Sequence, residues 1–213
     1  MLRDSIEKAA FEALRLATIK IPPDVKNALE KLYREEESEA CRSQLKAILE
    51  DIKVAEELGK PICQDTGLVI FYVEVGTDFP AIEEIEEAFV SATRRATKEI
   101  PLRPNTVHPF THKNPGDNTG RFVPYIHWKL VPGNELKFTV VPKGGGSENT
   151  CALYFPPPGE GLRAVKKAVI EAVYAAGAKP CPPNIIGVGI GGGADISMKL
   201  AKEAAVLRKV GAG

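Results

Sequence analysis

An excess of charge of one sign, long apolar runs and paired cysteines are all missing from this 213-residue chain, and each absence removes a class of function. Lys plus Arg and Asp plus Glu stand at 28 each, so no net field draws the protein to nucleic acid or to an anionic membrane. No run of about eighteen apolar residues is present to span a bilayer. Asp4, Glu7 and Glu12 occupy the region where a signal or transit peptide avoids acids, which sets the expectation of a cytoplasmic protein. The four cysteines, Cys41, Cys63, Cys151 and Cys181, are far apart and form no CxxC pair, which rules out zinc-finger and thioredoxin readings. Disulfides do not suit a cytosolic chain, leaving buried thiols or a metal site assembled from distant loops. Histidine is scarce, and Pro109 interrupts the i, i+4 pair His108 and His112; a loop histidine with a structural hydrogen bond is expected there.

What is present is an ordinary globular composition, 44% hydrophobic and 26% charged, which fits one large domain over residues 1–213 with a helical N-terminal portion at 1–59. Apolar residues at three- and four-residue spacing predict a helix from Asp4 to about Thr18. Pro22-Pro23-Asp24 opens a second, to about Tyr33, and Ser38 to Leu58 a third that ends on Gly59 as C-cap. Cys41 reads as filler of the core or of this helix's face. Leu68 to Val75 is β-branched and aromatic, a strand apolar enough for burial on both faces. Ala81 to Lys98 predicts a helix with Glu83, Glu84, Glu86 and Glu87 at its favourable N-terminal end. Residues 101–124 are proline-rich and aperiodic, the kind of long loop that tends to carry function. Tyr125 to Val131 and Leu136 to Pro142 predict a hairpin about Pro132-Gly133-Asn134. A helix over Gly161 to Ala176, a short strand over Ile185 to Ile190 and a last helix over Ala194 to Leu207 complete an α+β fold, helices first and then a mixed β-sheet with packed helices.

Lys60-Pro61-Ile62-Cys63-Gln64-Asp65-Thr66-Gly67 places a thiol, an amide and a carboxylate in consecutive positions between a helix and a strand. A thiolate holds a soft metal, a carboxylate moves a proton, and Thr-Gly lets the backbone turn. The same residues also suit a plain strand entry with a buried Cys and a turn Asp. Gly187-Val188-Gly189-Ile190-Gly191-Gly192 satisfies GxGxxG, but no following strand carries a ribose-binding acid, so a tight strand-to-helix turn is the better reading. Gly144-Gly145-Gly146 lacks the Lys-Ser/Thr of a phosphate loop, although its amides can approach a small anion. Arg103 is either solvated or a bidentate partner for a carboxylate.

Five motifs taken together resemble one family: Pro61-Ile62-Cys63-Gln64-Asp65-Thr66-Gly67, Leu102-Arg103-Pro104-Asn105, Gly116-Asp117-Asn118-Thr119, Lys143-Gly144-Gly145-Gly146-Ser147-Glu148-Asn149 and Pro180-Cys181-Pro182-Pro183. In this order they resemble the alpha subunit of class I fumarases and L-tartrate dehydratases, or the equivalent N-terminal domain of single-chain enzymes. The resemblance implies a 4Fe-4S hydro-lyase for a small dicarboxylic acid, fumarate to malate first and tartrate as alternative. It also implies a beta subunit and an oligomer. Cys63 and Cys181 fall on cluster-ligand positions. Gln64, Asp65, Arg103 and Gly146 fall on substrate positions, with Asp65 as a proton-transfer group and Arg103 as a carboxylate clamp. The family's third cysteine ligand lies beyond the glycine turn, past the last residue here, so a C-terminally shortened chain with an incomplete cluster is expected. Cys151 matches no ligand position and is expected to be a buried structural thiol. The reading from a different class is a cluster-free module that binds a carboxylate.

Overall fold

The computed structural model describes residues 2–211, which divide into two compact units, Met1–Gly144 and Gly145–Gly213. The first begins with three helices, α1 (Leu2–Ile19), α2 (Pro23–Glu35) and α3 (Glu39–Leu58), as the apolar spacing predicts. Pro23 opens α2, where a missing N–H costs nothing. The Ser38 hydroxyl caps the start of α3, and Gly59 ends it in the left-handed conformation at φ 61°.

Strand β1 (Leu68–Gly76) follows, then a 3-10 turn at Ile82–Glu84 and helix α4 (Ile85–Glu99). The expected helix from Ala81 thus starts with a tighter turn. After the loop at 101–124 come β2 (Tyr125–Val131) and β3 (Leu136–Lys143). The three strands form one mixed sheet in the order β2-β1-β3, which establishes the α+β class.

The expected hairpin is not formed. Both strands exist, but β1 lies between them, parallel to β2 (Ile70 opposite Tyr125) and antiparallel to β3 (Leu68 opposite Lys143). The turn residues 132–135 instead arch over the end of β1. Gly76 N–H donates to the Glu135 carbonyl at 2.8 Å, Thr77 N–H to Val131 at 2.9 Å and Asp78 N–H to Gly133 at 2.9 Å. A Cβ on Gly76 would overlap the Gly133 backbone, so the arch depends on a bare backbone at that residue. A central strand apolar on both faces is better buried between two neighbours than at an edge, and β1 has that pattern.

One face of the sheet carries the core. Val69, Phe71, Val73 and Val75 alternate along β1 and meet Ile6, Ala10 and Leu14 of α1 and Ile85, Phe89 and Ala92 of α4. Phe71 and Phe89 stack with ring centres 4.1 Å apart, both fully buried. Truncating such a ring costs about 3–5 kcal/mol.

In the second unit a four-residue helix α5 (Gly145–Glu148) precedes α6 (Gly161–Ala176) and α7 (Ala194–Val206). The strand expected over Ile185 to Ile190 is absent; this segment pairs with no strand among the described residues. It runs along α7 instead. A Cβ on Gly187 would overlap Ala201 and Ala205, and one on Gly189 would overlap Ser197 and Ala201. Two residues of extended chain advance ~6.6 Å and four helical residues ~6 Å, so glycines two apart match helix positions four apart. Much apolar surface stays open in this unit. Among its described residues Ala164 is the one buried hydrophobic, while Tyr174 is 90% exposed and Leu162, Ile170 and Ile190 are also exposed. No described helix is long and apolar enough to cross a membrane.

Candidate functional site

Sheet topology gathers three segments at one end of the first unit. Because β1 and β2 run parallel, the loops entering both strands reach the same end, and β3, running the other way, delivers Lys143 and Gly144 to it. The motifs around Cys63, Arg103, Asp117 and Gly144 therefore meet although they are scattered in sequence. Gly67, at φ 80°, is part of the join, since a Cβ there would overlap the Lys143 carbonyl.

Asp65 is half-buried in the loop before β1, with Cys63 and Gln64 exposed beside it. Its Oδ1 accepts a hydrogen bond from Asn105 Nδ2 at 2.8 Å. Its Oδ2 faces Gly144, where a Cβ would come within 3.3 Å, so glycine leaves room for the carboxylate. Asp65 N–H donates to Cys63 Sγ at 3.4 Å. The Thr66 hydroxyl accepts from Arg103 N–H at 2.9 Å, tying the loop of the thiol and carboxylate to the loop of the arginine. The Arg103 side chain is exposed.

Asn118 stands beneath both loops and is fully buried. Its Oδ1 accepts from Asn105 N–H at 2.7 Å, and its Nδ2 donates to the Arg103 carbonyl at 3.0 Å and to the Thr97 hydroxyl at 3.2 Å. Its backbone is left-handed at φ 57°, a conformation asparagine tolerates better than most residues. Next to it, Asp117 accepts from the Thr119 N–H and hydroxyl and from Arg94. Partial burial pushes the Asp117 carboxyl up, but the two Thr119 hydrogen bonds and Arg94 outweigh it and hold the group below the usual carboxylate range.

In the second unit Gly146 approaches the Lys179 carbonyl so closely that a Cβ would stand 2.8 Å away. Two residues further on, Cys181 is exposed and held at φ 59°, costly for a residue with a side chain. Gly146 and the Cys181 segment are thus neighbours within this unit.

Cys151 is exposed, not buried as expected. The apolar stretch from Cys151 to Phe155 lies at the surface of a unit with little interior, so a thiol there has no core to enter. Cys41 is exposed on α3, as helix-face filler would be. His108 Nδ1 accepts from Phe110 and Thr111 N–H, the structural hydrogen bond expected of a loop histidine. His127 stacks on Tyr72 with ring centres 4.5 Å apart.

Among the described residues no three His, Cys, Asp or Glu side chains converge as metal donors. Cys63 and Cys181 are both exposed on loops, each in its own unit. Sequence reasoning missed Thr66, Asn105, Asn118 and Gly144 as parts of the site. All four lie inside motifs already singled out, and the Gly-Asp-Asn-Thr turn was the available signal for an asparagine at positive φ.

A family model described as "Fumarate hydratase (Fumerase)" matches residues 7–213. The chain is 44% identical over 210 residues to a protein of Methanocaldococcus jannaschii named "Putative L(+)-tartrate dehydratase subunit alpha", with 97% of this chain and 73% of that one covered. It is 33% identical over 197 residues to the L(+)-tartrate dehydratase subunit alpha of Escherichia coli strain UTI89, covering 92% of this chain and 65% of that protein, a little under two thirds. The same-named protein of Shigella sonnei is 32% identical over 197 residues, with the same coverage. With nearly the whole sequence inside one family model, the chain belongs to the fumarate hydratase (Fumerase) family.

Proposed function

We propose that this chain is the alpha subunit of a hydro-lyase that reversibly removes water from a small hydroxy-dicarboxylic acid, acting with a beta subunit. The observation that carries this reading is the Asp65 carboxylate, fixed 2.8 Å from the Asn105 amide on a loop bonded to that of Arg103. Elimination of water from a 2-hydroxy acid needs a group that exchanges a proton at the carbon next to the one bearing the hydroxyl and a cation that orients a carboxylate. Asp65 takes the first role and Arg103 the second, as a planar fork that holds a carboxylate through two parallel hydrogen bonds. Gln64 and Gly146 belong to the same substrate site in this reading, Gln64 as a side-chain donor and Gly146 through close backbone approach.

Cys63 and Cys181 are proposed as two ligands of a 4Fe-4S cluster, which when bound supplies a Lewis-acidic iron for the leaving hydroxyl. The Asp65 N–H aimed at Cys63 Sγ and the strained backbone of Cys181 support this pair over the other two cysteines. Fumarate and malate are the first substrate pair. The names of the relatives favour L(+)-tartrate as the second reading. Anaerobic reconstitution with a beta subunit, followed by assays of fumarate, malate and L(+)-tartrate, tests both. Turnover of fumarate and malate above tartrate supports the first, the reverse order the second, and no turnover of any of the three rejects the proposal.

A further inference from the structure

We infer that Asn105 is a positioning residue for Asp65, itself held in place by the buried Asn118, so that two amides set the relation between the proton-transfer group and the arginine clamp. This rests on the reading of Asp65 and Arg103 given above. Asn118 grips both ends of the Arg103-Pro104-Asn105 segment, donating to the Arg103 carbonyl and accepting from the Asn105 N–H. With its backbone so fixed, Asn105 turns its side-chain amide onto Asp65 Oδ1 at 2.8 Å. Thr66 closes the circuit by accepting from Arg103 N–H. Every link is a hydrogen bond between neighbouring groups on two loops, and the anchoring amide is shut off from solvent, where such bonds hold their geometry best.

An amide donor does something here that a bulky neutral group of the same shape cannot. It fixes which way the carboxylate plane faces. The contact acts on the chemical step through Asp65 and leaves the arginine side chain untouched, so its loss should appear in kcat and not in KM.

The test is a pair of variants in the anaerobically reconstituted two-subunit enzyme. Asn105→Ala deletes the donor and its volume. Asn105→Asp keeps the shape and the N–H bonded to Asn118 but presents an acceptor to Asp65. Both should lose about ten- to a hundredfold in kcat, the worth of one hydrogen bond to a charged group, with KM within about threefold of the parent. An Asn105→Asp enzyme with parental kcat would reduce the residue to space-filling and overturn the inference, as would a loss confined to KM.

Asp65→Asn is the control that separates the two levels. If it turns over normally, the role given to Asp65 fails. If it is dead while Asn105→Asp is unaffected, the inference alone fails. A second measurement needs no turnover. In the chain by itself, the Asn105 side-chain amide protons should resist solvent exchange by nuclear magnetic resonance and lose that protection in Asp65→Ala, whereas free exchange in the parent chain would refute the contact.

Discussion

Arg103 shows how much a single residue can owe to its backbone. Its N–H and carbonyl are both fixed, by Thr66 and Asn118, while its side chain is left exposed. Such an arrangement holds the root of the guanidinium firmly and leaves the head open to a ligand. Arg103→Lys should therefore fold normally and lose about ten- to a hundredfold in kcat/KM, the cost of one charge-assisted bidentate contact of about 1.5–3 kcal/mol. Steady-state assays across several dicarboxylates check this, and an unchanged kcat/KM for all of them would remove Arg103 from the site. Asn118 belongs to the opposite class, since its side chain serves the interior. Asn118→Ala forces alanine into the left-handed region and strands the Asn105 N–H and the Arg103 carbonyl, a loss on the order of 3 kcal/mol. Asn118→Gly accepts the same φ and should lose about 1 kcal/mol less. Denaturant midpoints of the two variants measure the difference, and equal midpoints would mean that φ 57° carries no strain.

At the scale of elements, periodicity served helices well and strands only in part. The ends of α1, α2, α3, α6 and α7 lie within about two residues of where apolar spacing, Pro23, Ser38 and Gly59 set them, because those signals act within one turn of chain. The strand positions of β2 and β3 were equally legible, yet their pairing was not. Pro132-Gly133-Asn134 suits a tight turn, and nothing local says that a strand from over fifty residues earlier will enter between its arms. Gly187 and Gly189 misled in another way. Alternation with Val188 and Ile190 has the two-residue period of a strand, but the missing side chains serve contact with a helix. Gly189→Ala should accordingly push the segment off α7 and raise amide exchange along Ala194–Val206, leaving α1 and α4 untouched. Equal exchange in α7 before and after would show that the close approach bears no weight. The site was legible as motifs and illegible as a network: Asp65, Arg103 and Gly146 follow from residue chemistry and resemblance, while Asn105 and Asn118 act through contacts that only the folded loops create.

For the whole molecule, the four cysteines offer a check on cluster binding that does not depend on catalysis. All four are exposed, so solvent access alone does not choose among them. The proposed pair differs from the others in local setting: Cys63 Sγ receives the Asp65 N–H and Cys181 sits at φ 59°, while Cys41 lies on a regular helix and Cys151 Sγ contacts the Ser147 carbonyl at 3.9 Å. Cys63→Ser and Cys181→Ser should each abolish stoichiometric iron and sulfide uptake in the reconstituted enzyme, and Cys41→Ser and Cys151→Ser should retain it. Loss of uptake in Cys151→Ser with retention in Cys63→Ser would reverse the assignment.

The arch at residues 132–135 has a consequence for how the first unit reaches its structure. Neighbouring strands stand about 4.8 Å apart, so β2 and β3 are held about 9.5 Å from one another, too far to bond directly. Neither can therefore act as a template for the other. During folding the sheet has no local nucleus, since its first productive pairing joins Leu68–Gly76 to chain at least about fifty residues downstream. Until residues 125–143 leave the ribosome, β1 has no partner on either edge, and its face of Val69, Phe71, Val73 and Val75 depends on α1 and α4, which are synthesised by then, for cover. A nascent chain arrested after residue 110 should hold the helices and lack the sheet, and the end of the sheet where Asp65 and Arg103 meet would be the last part of the unit to take shape.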